Sequence, residues 1–328
     1  MKIKVLILIL FAGGLFLNAC QKDIDIFVPD AGQLNGPDTS WQNTVTATMP
    51  VSILKNNLLL VPYHDSITVN ATTASVVTPF GMRVNFPPNC CVTAAGQQVT
   101  GNVLVEIMII KKKGDMIRLN KPSTNNDSLL VTAGQIFIQL KKDGQILQLA
   151  PGVRINIHYS DLPVNPQMQF FIGDENNTQH FNWLPTPTPS LDTIIMGTQN
   201  YELYTKRQRW ISIATLFDTN FSTPRVNISA DMALYFTNAN TVAFTVFKDL
   251  RSVVAMPGNL NTRKFTSGKL PVGKQVTVVV ISRQGDDYYL GYESAVTQTP
   301  GSNSLTQLVR VVPIKKSLSH ILAYLSTL

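Results

Sequence analysis

The run Val99-Thr100-Gly101-Asn102-Val103-Leu104-Val105-Glu106-Ile107-Met108-Ile109-Ile110 places Val103, Val105, Ile107 and Ile109 on one phase of a period-two pattern and stops at Lys111-Lys112-Lys113. β-Branched residues in strict alternation make a strand with one buried face. The pattern recurs on both sides. Met82-Arg83-Val84-Asn85-Phe86 alternates and ends at Pro87-Pro88, and Val153, Ile155, Ile157 and Tyr159 share a phase. Residues 128–140 and 145–149 flank Lys141-Lys142-Asp143-Gly144, an Asp-Gly hairpin turn. Residues 51–61, 66–71, 167–172 and 180–183 read as further strands.

Further along, Leu184-Pro185-Thr186-Pro187-Thr188-Pro189-Ser190 reads as a stiff extended segment. It is either an interdomain linker or an edge loop after the tryptophan strand. Beyond it, residues 209–217, 225–230, 241–247, 251–256, 275–282 and 288–294 are candidate strands. Ile314, Leu318, Ile321, Leu322 and Leu325 lie on one face of a C-terminal helix that begins around Lys315-Lys316 and should cap a sheet edge or sandwich end. The predicted fold is all-β: two β-sandwich-like domains in tandem with a short C-terminal α-helix. The expected boundaries are a signal peptide at 1–19, a tether at 20–48, a first sandwich at 49–184, a linker at 185–200 and a second β-rich domain at 201–328.

Charged residues are only 14% of the 328, well below the roughly 25% of typical soluble domains. With many Thr, Val, Asn and Pro, this favours an exported β protein over a cytosolic α/β enzyme. Lys2 and Lys4 precede the apolar stretch 5–17, which is too short to span a bilayer but suits a signal peptide. Leu17-Asn18-Ala19-Cys20 resembles the lipobox of bacterial lipoproteins, with Asn18 departing from the usual small residue. That resemblance implies cleavage before Cys20 and lipidation of its thiol, so the outer membrane is the expected partner. Gln21-Lys22-Asp23-Ile24-Asp25 resembles a degenerate form of the surface-export signal of Bacteroidota lipoproteins; with it the protein faces outward, without it the periplasm. Cleavage would leave 25 Lys and Arg against 20 acids, a net charge of +5. The basic runs at 111–113, 141–142, 206–207 and 315–316 are short and scattered, the pattern of solvated strand ends, and no nucleic-acid partner is expected.

From Thr78-Pro79-Phe80-Gly81 the chain passes through Ala95-Gly96-Gln97-Gln98-Val99-Thr100-Gly101, Asp115-Met116-Ile117, Lys121-Pro122-Ser123-Thr124, Leu129-Leu130-Val131-Thr132-Ala133-Gly134-Gln135-Ile136 and Asp143-Gly144 to Gly152. This pattern of turn glycines and apolar strands resembles the ZU-five-like β-sandwich of Bacteroidota lipoproteins and, more distantly, of netrin receptors and ankyrins. The resemblance covers about a third of the chain and bears on fold more than function. Some relatives of that fold cleave themselves at a His-Phe-Ser step; His180-Phe181-Asn182 lacks the hydroxyl, so no cleavage is expected here.

No catalytic residue is assigned. His64-Asp65-Ser66 holds triad residue types as immediate neighbours, which on a strand point apart. An enzyme reading would need a cleft gathering His158, His180 and an acid. Asp174-Glu175 and Asp286-Asp287 read as loop acids, with weak calcium binding as the alternative, so no metal or cofactor is expected. Cys90 and Cys91 are expected as two reduced, partly buried thiols. Trp41, Trp183, Trp210 and Tyr288, Tyr289 and Tyr292 read as core aromatics, with a sugar-stacking platform as the alternative. Tyr288 and Tyr289 face opposite sides of a strand, so at least one should be exposed. Ser66, Ser128 and Thr193, each after Asp and before an apolar residue, resemble the O-glycosylation signal of exported Bacteroidota proteins. The expected function is a non-enzymatic, lipid-anchored binding or assembly module of the cell envelope, its partner an envelope protein or glycan. The alternatives are a glycan-capturing accessory of a sugar-uptake system and a hydrolase with an unreadable site.

Overall fold

The computed structural model describes residues 39–175, 181–186, 192–218, 223–299 and 306–328. Strands dominate, nearly all paired antiparallel, and the helices among the described residues are short: α1 (Pro50–Leu58), α2 (Lys113–Arg118) and α3 (Leu318–Ser326). The fold is all-β and sandwich-like. No described helix is long and apolar enough to cross a membrane.

Sheet I runs Tyr63–Val69, Gly101–Ile110, Ser128–Lys142, Arg209–Leu216, Gln169–Asp174, Asn182–Pro185. Sheet II runs Thr193–Met196, Asn200–Thr205, Ile155–Ser160, Arg83–Phe86, Ala74–Val77. Their facing sides share one core, where Val103, Val105 and Ile107 meet Val84, Ile155 and Ile157. Sheet III is centred on Arg225–Asp231, and sheet IV runs Val253–Met256, Thr241–Phe247, Gln275–Gln284, Asp287–Val296, Ile314–Lys316. They enclose a second core around Ile228, Phe247, Val278 and Val280.

A third core joins the two sandwiches. Phe137 and Trp210 from the far side of sheet I meet Phe244, Val279 and Ile281 from the far side of sheet IV, with Leu54 and Leu58 of α1, Met116 of α2, and Ile321 and Leu325 of α3 between them. Central strands therefore bury both faces, and such strands read as apolar runs rather than alternations. In Val276-Thr277-Val278-Val279-Val280-Ile281, Val276, Val278 and Val280 enter the second core while Val279 and Ile281 enter the third.

The expected boundary at 185–200 is wrong. Thr193–Met196 and Asn200–Thr205 are strands of sheet II, and Arg209–Leu216 lies between Ser128–Lys142 and Gln169–Asp174 in sheet I. The first sandwich thus extends to Leu216. Pro185 is the last residue of the edge strand Asn182–Pro185, where a missing N–H costs no ladder bond; residues 187–191 lie outside the described residues.

Residues 51–58, expected as strand, form α1. Pro50 occupies its first turn, and Val51, Leu54 and Leu58 are spaced for one buried helical face. Arg118 of α2 closes its end, donating Nε to the Leu58 carbonyl at 2.8 Å. The C-terminal helix is present, but Ile314–Lys316 pairs as an edge strand and Ser317 caps the helix by accepting from the His320 N–H at 3.2 Å. Lys315 and Lys316 thereby avoid the unfavourable first turn. α3 packs in the third core instead of covering a sheet edge.

Candidate functional site

Sheet II turns one face to the first core and the other to solvent. Val76, Val84, Ile157 and Leu203 point inward. By the same alternation Ser75, Asn85, Asn156 and Glu202 point outward. Register sets Ser75 opposite Asn85 and Asn85 opposite Asn156, with Asn156 opposite Tyr204 and diagonal to Glu202. The result is a hydrogen-bonded ladder across neighbouring strands. Ser75 Oγ donates to Asn85 Oδ1 at 2.8 Å, Asn85 Nδ2 to Asn156 Oδ1 at 2.8 Å, and Asn156 Nδ2 to Glu202 Oε1 at 2.9 Å. Tyr204 Oη donates to the same Oε1 at 2.7 Å.

These bonds all run toward one carboxylate. The Tyr204 hydroxyl and then the Asn156 amide hold the Glu202 carboxyl below its ordinary range, and Glu202 pushes the Tyr204 phenol up. At neutral pH the ladder is anchored by an ionised acceptor and a protonated donor. At its rim the Asn200 amide donates to His158 Nε2 at 2.8 Å. Arg154 Nη2 donates to Thr193 Oγ1 at 2.7 Å, its guanidinium 5.6 Å from the Tyr204 ring centre. Each amide retains a second hydrogen or lone pair, so the face offers preset donors and acceptors on a rigid sheet. A face of this kind can hydrogen-bond polar groups.

Sheet I carries a second polar row on the face away from the first core. Glu106 accepts from Lys141 Nζ at 2.7 Å and lies 3.5 Å from His64 Nε2. With its amide oriented to satisfy both neighbours, Gln139 donates to Glu106 Oε2 at 3.1 Å and accepts from Arg209 Nη1. Arg209 grips Glu175 through Nε and Nη2 at 2.5 and 2.6 Å. Arg209 sits opposite Ile138, a core residue, so regular strand geometry would aim it inward. Its φ of +65°, costly for a residue with a Cβ, accompanies a side chain that instead lies over the Phe137 ring on the far face. Beyond it Lys121 Nζ rests 3.5 Å from the Phe181 ring centre and 4.8 Å from that of Trp210. Burial draws its pKa down to about 8, against the opposing pull of Glu175. Gly173 makes the cage possible: a Cβ there would lie 2.6 Å from both Phe181 and Trp210 atoms.

Cys20 and His180 lie outside the described residues. Ser66 is exposed on its strand, while Ser128 opens a strand half-buried against Asn125. Thr193 is exposed but paired opposite Tyr204, not on a free linker. Asp192 before it is buried, accepting from Thr205 Oγ1 at 2.6 Å and from Arg207. His64 engages Glu106 across the sheet, not the adjacent Asp65, which accepts the Ser66 N–H instead. Three of the four acids considered for calcium are ion-paired: Glu175 with Arg209, Asp286 with Arg283 and Asp287 with Lys315. Among the described residues no three His, Cys, Asp or Glu side chains gather as for a metal.

Cys90 and Cys91 are free thiols, both fully buried rather than partly so. Trp183 and Trp210 are buried core residues, Trp183 donating to the Pro122 carbonyl at 2.8 Å. Neither Tyr288 nor Tyr289 is exposed: Asn57 donates to the Tyr288 hydroxyl, and Tyr289 meets Phe236 edge-on. Tyr292 is the exposed tyrosine of that group, stacked on Tyr324 of α3. The basic triplet is less solvated than expected. Lys111 and Lys113 are half-buried and reach backbone carbonyls, that of Ser160 and those of Phe247 and Lys248 respectively.

No protein-family model and no curated protein matches the chain.

Proposed function

We propose that the chain is a non-enzymatic binding module of the cell envelope, lipid-anchored through Cys20 to the outer membrane, with the outer face of sheet II as its recognition surface. The carrying observation is the Ser75–Asn85–Asn156–Glu202–Tyr204 ladder, a solvent-facing array whose orientation is fixed by strand register. We also assign the first sandwich to the ZU-five-like lipoprotein domains, supported by the strand and turn pattern between Thr78 and Gly152.

Asn156 and Glu202 are solvent-side residues, so the double substitution Asn156→Ala with Glu202→Ala should fold and lose partner binding. Labelled wild-type and variant protein would be compared on immobilised envelope polysaccharides and in crosslinked envelope extract. Binding retained unchanged by the variant sinks the assignment of this face. Anchoring is tested separately: Cys20→Ser should leave an uncleaved or soluble precursor, and unchanged detergent partitioning and mass would overturn it.

Glycan capture is the second reading. It is favoured by a cavity of about 300 Å³ lined by Thr39, Ser40, Trp41, Leu234 and Arg263. An indole beside a guanidinium and two hydroxyls can stack on a sugar ring and bond its hydroxyls. Trp41→Ala abolishing polysaccharide binding would select this reading.

A further inference from the structure

The seam between the sandwiches holds an open cavity of about 280 Å³, lined by Lys111, Lys112, Lys113, Lys248, Asp249, Leu250, Arg251 and Leu328. Two parts of the chain distant in sequence converge there. The lysine triplet follows the strand Gly101–Ile110 of sheet I, and 248–251 is the turn between Thr241–Phe247 and Val253–Met256 of sheet IV.

We propose that this cavity binds a phosphate-bearing anion. Five basic residues line it, against Asp249 in its wall, Asp161 behind it and Asp115 near Lys112. Asp161 serves Arg251 at 2.9 Å and Lys111 at 3.7 Å. Lys113 Nζ donates to the Phe247 and Lys248 carbonyls at 2.6 and 3.0 Å, which orient it without neutralising it. An ammonium has three donors, so one remains for a ligand. Lys112 Nζ makes a long 3.5 Å contact to the Ser326 carbonyl and has Asp115 as an electrostatic neighbour. Among the described residues Lys248 Nζ has no ion pair, and Arg251 uses Nη1 alone for Asp161 and the Ala133 carbonyl. The cavity is thus walled by positioned donors with positive charge in excess, and burial draws the Lys111 and Lys113 ammoniums down from the usual lysine range. An anion with several equivalent oxygens relieves that excess, and lysines bind phosphate as point charges. At about 280 Å³ the space falls just below the usual range of ligand sites, which suits a small anion.

The same headgroup chemistry could come from a soluble diphosphate or from a membrane lipid. The test uses the full chain in detergent at constant ionic strength, titrated with sodium pyrophosphate and, separately, with short-chain dihexanoyl phosphatidic acid, by calorimetry and thermal shift. Saturable binding of either probe, weakened about tenfold or more in Lys248→Gln, supports the site, that being the loss expected for one hydrogen bond to a charged group. The tighter probe names the source. Lys248 is exposed and holds no other element in place, so this variant should fold normally; Lys113→Gln is the second, and Lys206→Gln the control that keeps binding. No binding of either probe beyond matched sodium chloride, or equal loss in Lys206→Gln, overturns the proposal.

Discussion

Lys121 shows how one residue can be positioned against its own solvation. Its ammonium lies against Phe181 and Trp210 with a pKa drawn down to about 8. In the unfolded chain the same group titrates near pH 10.4. Between those values the unfolded state binds more protons, so the Lys121 contribution makes stability rise with pH. Cation–π attraction offsets part of the burial cost at lower pH. Lys121→Met keeps the apolar stem on the rings and removes the charge. The variant should therefore be at least as stable as the wild type at pH 7, with that advantage shrinking by pH 10. Urea midpoints at the two pH values check this, and a constant or widening gap would refute it. Gly173, beneath the same rings, has no room for a methyl group. Gly173→Ala should cost about 1–3 kcal/mol, the usual range for overpacking, read as a lowered urea midpoint with an unchanged slope.

Among the elements, α2 and α3 depend on a close backbone approach. A Cβ at Gly114 of α2 would fall on the Leu325 carbonyl of α3. Backbone cannot swing away as a side-chain tip can, so Gly114→Ala must part the helices and open the third core. A loss of about 3 kcal/mol is expected, with faster amide exchange in 318–326; unchanged exchange there would exclude the contact. This pairing was not legible in the sequence. Alternation at Val103–Val105–Ile107 and Ile155–Ile157–Tyr159 revealed strands because each sends one β-branched or aromatic phase into the first core; the opposite phase is polar at Asn156 and His158, but in Gly101–Ile110 it mixes Asn102 and Glu106 with Leu104, Met108 and Ile110. Val51, Leu54 and Leu58 gave a short apolar run that suits strand or helix alike until its packing is known. The candidate site was half legible. Asn85, Asn156 and His158 stood on the polar phase of recognised strands, but Glu202 and Tyr204 lay at the start of what read as the second domain, outside any recognised strand. Nothing local in Asn200–Thr205 says that it lies beside Ile155–Ser160. Cross-strand register is a long-range property, and the ladder exists only through it.

At the scale of the whole molecule, the third core makes two sandwiches into one unit. The strand Arg209–Leu216 lies past the proline segment yet sits between Ser128–Lys142 and Gln169–Asp174. A fragment ending at residue 184 would therefore lose an interior strand of sheet I and expose two unpaired edges, which invites aggregation. It should be insoluble or unfolded by circular dichroism; a folded, monomeric 39–184 would contradict this topology. Coupling between the sandwiches predicts more. Phe244 belongs to sheet IV but is buried in the third core, facing the elements that Phe137 and Trp210 bring from sheet I. Phe244→Ala removes a large side chain from that junction, and such deletions cost about 3–5 kcal/mol. If the third core binds the sandwiches into one cooperative unit, the wild type unfolds in a single calorimetric transition. The variant should then move that whole transition to lower temperature, affecting a first-sandwich probe such as Tyr159 fluorescence as much as a second-sandwich probe. If the sandwiches were independent, only the second would melt early and the Tyr159 signal would keep its wild-type midpoint. That split would remove the third core from the account of stability and leave it as a contact surface.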